Sequence, residues 1–176
     1  MRRWAPIALS LLVLLVTAGC GTGADPNTAT ARAPGATTGA PPAPTTGYDT
    51  ADAMYRQMFQ GLNLPDGVTF PAHLPNAGDQ YQANAGLVTA QNFWMCAWLW
   101  DFIDNSTAKT KAQAAAAELA KYDLMDAYTK ALDDHGRQTV DAAIKAAKAG
   151  SKAPVQSFAT ATCAGPFFVQ ARPSSH

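Results

Sequence analysis

The sequence predicts an all-α domain: a small bundle of four to five helices with one disulfide, preceded by a signal peptide and a disordered linker. Apolar residues recur at helical spacing in several segments after residue 48. The longest segments are rich in Ala, Lys and Leu, which favour helices, and Gly, Pro or Asn-Ser turns separate them. With both ends set aside, about 125 residues remain, which is enough for a modest hydrophobic core.

Residues 1–19 have the pattern of a secretory signal peptide. A basic pair, Arg2-Arg3, precedes an apolar run over residues 7–16, and small residues follow the run. This run is too short to cross a membrane as a helix, because a spanning helix needs about 20 apolar residues. We therefore expect the chain to be exported.

The four residues Thr17-Ala18-Gly19-Cys20 resemble the lipobox of bacterial lipoproteins, although that family prefers Leu where this chain has Thr17. The resemblance implies cleavage before Cys20 and a covalent diacylglycerol on its sulfur, which is the only attached group that we expect. It also implies an extracytoplasmic protein anchored to the bacterial cell membrane. An ordinary cleavage site at residues 16–18 is the alternative, and it would release a soluble protein.

Residues 20–47 form the predicted linker. After Cys20 this stretch is mostly Gly, Thr, Ala and Pro, with no aromatic residue and no Leu, Ile, Val or Met. Such a composition buries too little apolar surface to offset the entropy lost on ordering. We expect a flexible tether with a reach of about 30 Å.

The helical domain is predicted over residues 48–170. Its first helix starts at residues 48–50 and ends by Gly61, and an irregular crossing over 62–78 contains a turn at Pro65-Asp66-Gly67. A central helix is predicted from Asp79 to Asp104, a third over 107–133, a fourth over 137–149 and a short last one from Pro154. Residues 171–176 are predicted to be a disordered tail.

The central helix is the expected core of the domain. From Phe93 to Leu99 it is apolar nearly all round, which is typical of a helix packed on several sides. It also carries Cys96, and Cys163 is its only possible internal partner once Cys20 is acylated. Because disulfides persist in exported proteins, we predict a Cys96–Cys163 bond. Two buried reduced thiols are the alternative.

Three tryptophans of the central helix, Trp94, Trp98 and Trp100, have two interpretations. They can fill the core, as a small and alanine-rich domain requires, or they can line a pocket for a sugar, a peptide or an apolar ligand. The core interpretation is favoured. Trp100, which is next to Asp101, is the tryptophan we expect first at the surface.

Several polar residues have a possible catalytic or metal-binding role. Asp101 and Asp104 lie three residues apart on the central helix and can act as paired carboxylates, and Asp133-Asp134-His135 offers metal ligands in a row. His73 has no partner visible in the sequence. Ser106 and Lys109 fit S-x-x-K, but the other elements of the enzymes that use this motif are missing. Structural roles are favoured for all of them: a solvated helix end for the two aspartates, a helix C-terminus for 133–135 and a helix cap for Ser106.

No molecular activity can be inferred from the sequence. Lys plus Arg and Asp plus Glu are each 13, and the basic residues are dispersed, so no nucleic-acid partner is expected. The leading hypothesis is a non-catalytic binding or interaction module of the envelope, with the membrane as partner through the anchor and a protein or cell-wall partner besides. The alternative is a cell-wall-active hydrolase or another extracytoplasmic enzyme that uses Asp101, Asp104 or His73; no metal site is expected.

Overall fold

The computed structural model describes residues 43–173. Within this range the chain forms six α-helices, two short strands and two 3₁₀ segments, and it contains one disulfide. The helices are α1 (Tyr48–Phe59), α2 (Ala85–Asp104), α3 (Lys109–Leu119), α4 (Asp126–Ala131), α5 (Asp134–Lys148) and α6 (Lys152–Thr162); the strands are β1 (Thr45–Gly47) and β2 (Gln80–Gln82); the 3₁₀ segments are Ala120–Leu124 and Phe168–Ala171. The predicted fold class is confirmed. The predicted signal peptide, Cys20 and the linker up to residue 42 lie outside the described residues.

Helix α2 is the centre of the fold. It packs against α1, α3, α4, α6 and the last 3₁₀ segment. Phe93, Trp94, Leu99 and Phe102 of α2 are all buried. Burial of a large apolar side chain contributes about 1.5–3 kcal/mol, so this helix supplies much of the stability of the domain.

Helix α2 starts later than its sequence pattern suggests. The prediction of a start at Asp79 is wrong, because Gln80–Gln82 forms β2 and pairs antiparallel with β1, with Thr46 opposite Tyr81. The hydroxyl of Tyr81 donates to the carbonyl of Pro75 over 3.0 Å and accepts from the N–H of Ala77 over 2.7 Å. These hydrogen bonds link the extended segment to the end of the preceding crossing.

Gly86 lets the first turn of α2 pass very close to α1. A Cβ atom at this position would lie 1.9 Å from the carbonyl oxygen of Ala51 and 2.8 Å from the amide nitrogen of Tyr55. Both neighbours are backbone atoms of a buried helix, so neither can move aside easily. The close approach of the two helices therefore requires glycine.

The predicted third helix, over 107–133, is divided into α3, a 3₁₀ segment and α4. The break is at Met125, whose ψ of 152° is extended. The buried side chain of Gln91 on α2 accepts a hydrogen bond from the N–H of Ala127 over 2.7 Å, and so satisfies a donor in the first turn of α4. Tertiary hydrogen bonding thus overrides a local preference for one continuous helix.

The disulfide joins α2 to the C-terminal end of α6. Cys96 and Cys163 are bonded, with their Cα atoms 5.8 Å apart, and both are buried. The bond closes a loop with a sequence separation of 67 residues. In the chain-entropy model a loop of this length contributes about 4 kcal/mol.

The ordered domain extends beyond the predicted limits at both ends. Thr45–Gly47, which belongs to the predicted linker, is strand β1, and Ala171 in the predicted tail is completely buried. Pairing with β2 orders the first segment, and packing against the core orders the second. Among residues 43–173, no helix combines the length and the apolarity needed to cross a bilayer.

The first prediction concerns Gly86. We expect Gly86→Ala to lower the free energy of unfolding by about 3 kcal/mol, because overpacking a rigid contact costs about that much. Urea unfolding followed by circular dichroism measures the change. Gly61→Ala is the control, because the nearest atom to an added Cβ there is 3.9 Å away. Equal stability of the two variants would contradict the close-packing interpretation.

Candidate functional site

An open cleft lies at the C-terminal end of α2. Its volume is about 1190 Å³. The loop after α1, helix α3, the start of α6 and the C-terminal segment form its walls. Its charged lining residues are Asp66, Asp101, Asp104, Lys111, Lys152 and Arg172, and Trp98 lines it as well. This group includes three of the residues predicted from the sequence, namely Trp98, Asp101 and Asp104.

Asp101 is the least exposed carboxylate of the cleft. Burial raises the pKa of Asp101 above its ordinary value of 3.8, and Lys111 and the amide of Asn105 oppose this effect. The Asn105 side chain donates to the Asp101 carboxylate over 2.9 Å and to the Asp101 carbonyl over 3.0 Å. Asp104 and Asp66 add a smaller upward effect because they carry like charge. The cleft thus holds a partly dehydrated carboxylate in a fixed position.

The carboxylate of Asp104 forms an ion pair within the protein. Its carboxylate lies 3.2 Å from the guanidinium of Arg172, which also covers the ring of Trp100 at 4.9 Å from the centroid. Both contacts hold the C-terminal segment against the end of α2. The indole N–H of Trp100 is buried and finds no hydrogen-bond acceptor between residues 43 and 173.

The three tryptophans have different environments. Trp94 is 2% exposed and belongs to the core, so it has no surface for a ligand. Trp98 is partly exposed and lines the cleft; its indole N–H donates to the carbonyl of Asn63 over 3.1 Å. Trp100 is partly exposed but is covered by Arg172. Only Trp98 is thus available in the cleft, although Trp100 was the tryptophan expected first at the surface.

The turn at Pro65-Asp66-Gly67 brings a further carboxylate into the cleft. The N–H of Val68 donates to the carbonyl of Pro65 over 3.2 Å, and Gly67 has a φ of 78°, which glycine adopts without strain. The sequence predicted this turn, but it gave no reason to place Asp66 near Asp101. Lys111, Lys152 and Arg172 were also missed, because they are isolated basic residues on three separate elements.

His73 has a partner that the sequence did not reveal. Its Nδ1 lies 3.1 Å from the carboxylate of Asp52, which also accepts from the N–H of Leu74 over 2.8 Å and from the Arg56 side chain over 3.0 Å. Burial acts to raise the pKa of Asp52, but these hydrogen bonds and the nearby positive charge hold it below the ordinary 3.8. The His73 side chain is 66% exposed and lies outside the cleft lining. This cluster fastens the crossing to α1.

The other polar motifs singled out in the sequence, residues 133–135 and Ser106 with Lys109, do not line the cleft. Asp133-Asp134-His135 starts a helix and does not end one: Asp133 is the N-cap of α5 and accepts from the N–H of Gly136 over 2.7 Å. Ser106 lies in the turn before α3, and exposed Lys109 is the first residue of that helix, whose N-cap position is held by Ala108. Over residues 43–173, no three His, Cys, Asp or Glu side chains come together as a metal site would require.

The second prediction concerns Asp52. We expect Asp52→Ala to lower the free energy of unfolding by about 1–3 kcal/mol at neutral pH, because the N–H of Leu74 loses its acceptor. Since the folded pKa lies below 3.8, this stabilisation is complete above pH 3.8 and is lost as the pH falls through the folded pKa. The difference between wild type and variant should therefore shrink in that acid range.

Urea unfolding at a series of pH values tests this expectation. Asp49→Ala is the matched control, because Asp49 is exposed in the first turn of the same helix and contributes less than about 1 kcal/mol there. A difference that stays constant into the acid range, or an equal loss in the control, would show that the Asp52 carboxylate has no special role.

No family model, no curated protein and no solved structure matches this chain. The residues of the cleft and the N-terminal sequence are therefore the basis on which a function can be proposed.

Proposed function

We propose that the protein is an exported bacterial lipoprotein, held at the membrane by a diacylglycerol on Cys20, whose helical domain is a non-catalytic binding module for the cell envelope. The basic pair, the apolar run and the lipobox-like residues 17–20 support the export and the anchor. A buried disulfide is consistent with an oxidising compartment. Two or more acyl chains on one residue make attachment stable, where a single chain is marginal.

The cleft is the single observation that carries the binding role. It combines the indole of Trp98 with charged side chains of both signs in about 1190 Å³. Aromatic groups and a few fixed polar groups are the usual components of a small-ligand site. A tether of about 30 Å would let a domain with such a cleft reach envelope material beyond the membrane surface. We propose cell-wall material as the bound partner.

A hydrolase is the second candidate, and Asp101 is the observation that favours it. A general acid must hold its proton near the working pH, and burial shifts the pKa of Asp101 in that direction. Asp66 in the same cleft is a second carboxylate that can activate water. Binding and hydrolysis therefore involve the same residues, and only product formation distinguishes them.

The third prediction concerns the anchor. We expect the wild-type chain to be found in the membrane fraction of a bacterial host, with an N-terminal peptide that starts at Cys20 and carries the added mass of the lipid. The Cys20→Ala variant should give no lipidated protein in the membrane fraction. Mass spectrometry of the N-terminal peptide and fractionation of the cells measure this. A soluble wild-type protein with an unmodified Cys20 would refute the lipoprotein proposal.

The fourth prediction concerns the partner. We expect the purified chain, as its host processes it, to co-sediment with isolated insoluble bacterial cell walls without releasing soluble fragments. Asp101→Asn should weaken the binding at least about tenfold, measured as the apparent Kd, because a charge-assisted hydrogen bond contributes about 1.5–3 kcal/mol. Asp126→Asn, at a partly exposed site on α4 outside the cleft lining, is the matched control.

The amounts of protein in the pellet and of sugar or peptide in the supernatant separate the candidates. Release of fragments that depends on Asp101, with sedimentation retained by Asp101→Asn, would identify the hydrolase. Failure of the wild type both to sediment and to release fragments would refute the proposed wall partner.

A further inference from the structure

The charges of the cleft are balanced in number but incompletely paired. Asp104 and Arg172 form an ion pair, whereas Asp66, Asp101, Lys111 and Lys152 make no ion pair with any residue between 43 and 173. The cleft therefore offers two uncommitted carboxylates and two uncommitted ammonium groups. A ligand with a single sign of charge would meet repulsion from one of the two sets.

The four unpaired charged groups of the cleft come from four different elements of the fold. Asp66 lies in the loop after α1 and Asp101 in the last turn of α2, whereas Lys111 lies in α3 and Lys152 is the first residue of α6. Lys111 is close enough to lower the pKa of Asp101, but the two groups are not in direct contact. All four groups thus stay unpaired among residues 43–173 and can contact a ligand in the cleft.

Asp101 gives the strongest reason to expect a cationic group in the ligand. This side chain is partly dehydrated, and its hydrogen bond from Asn105 satisfies one oxygen only in part. An ammonium group would favour the ionised carboxylate, whereas a sugar hydroxyl would do so far less. A neutral glycan would also provide no anionic group to pair with the ammonium groups of Lys111 and Lys152.

From these observations we infer that the cleft binds a dipolar ligand: a short peptide with a free ammonium group and a free carboxylate. The ammonium group lies against Asp101 and Asp66, and the carboxylate lies against Lys111 and Lys152. Leu64, Pro65, Ala114 and Trp98 also line the cleft and supply its apolar surface. A volume of about 1190 Å³ is large enough to hold a short peptide. This inference deepens the proposed function, on which it rests.

Tetraalanine is the probe, and its two blocked forms are the controls. We expect the free peptide to bind the purified chain, as its host processes it, in isothermal titration calorimetry. N-acetyl-tetraalanine and tetraalanine amide should each bind at least about tenfold more weakly, because each loses one charge-assisted contact. These comparisons use the wild-type protein only, so they do not depend on the folding of a variant.

Two variants assign the two ends of the peptide. Asp101→Asn should weaken binding of free tetraalanine about tenfold but should leave the weak binding of the N-acetyl form unchanged. Lys111→Gln should also weaken binding of free tetraalanine about tenfold, but it should leave the weak binding of the amide form unchanged. Asp126→Asn and Lys148→Gln, both outside the cleft lining, are the matched controls and should bind like wild type. Thermal unfolding of each variant confirms that it is folded.

Equal affinity for free and blocked peptides would overturn the inference, as would no detectable binding of the free peptide at about 10 mM. Wall sedimentation measured on the same protein separates this failure from that of the proposed function. Sedimentation without peptide binding would leave the envelope-binding role in place and remove only the dipolar ligand. If the protein neither sediments with cell walls nor binds the peptide, both the envelope-binding role and the dipolar ligand are refuted.

Discussion

Burial of α2 on nearly all its sides is the constraint on which the rest of the structure depends. A helix that is apolar all round must be enclosed, and a chain of this size can enclose only one such helix. Three of its neighbours meet a specific residue of α2: α1 approaches at Gly86, α4 receives a hydrogen bond acceptor from Gln91 and α6 is bonded at Cys96. Helix α5 does not share this contact and packs on α3 and α6 instead.

The cleft forms where the burial of α2 ends. The last turn of the helix carries the half-buried Asp101 and the exposed Asp104 beside the buried Phe102 and Ile103. The turn at Asp66 and the C-terminal segment both close on this end of the helix. A site at this position is built partly on the buried central helix, which favours a fixed arrangement of charges over an adaptable one.

Local pattern was sufficient for the central helix, for the disulfide and for the turn at Pro65. Each depends on a signal within a few residues or, for the disulfide, on the small number of cysteines. The same reasoning failed at Asp79 and over 107–133. Pairing of β2 with β1 and the hydrogen bond from the N–H of Ala127 to the Gln91 side chain join residues 33 or more positions apart, and no local pattern encodes them.

The candidate site was predictable only in part, for the same reason. Trp98, Asp101 and Asp104 lie within one helix, so the sequence placed them together. Lys111, Lys152 and Arg172 join them only after the chain has folded. The partner of His73 was missed because Asp52 is 21 residues away on α1, where an aspartate near a helix start is unremarkable as a sequence feature.

The covalent loop closed by Cys96 and Cys163 keeps the domain in one piece after a single proteolytic cut. Asp101, Lys111 and Lys152 all lie between the two cysteines in the sequence. A single backbone cut by a protease in the exposed turn before α3 or α6 would therefore produce two fragments that stay linked through sulfur. The three side chains would remain on one molecule, and the nicked chain would separate only on reduction.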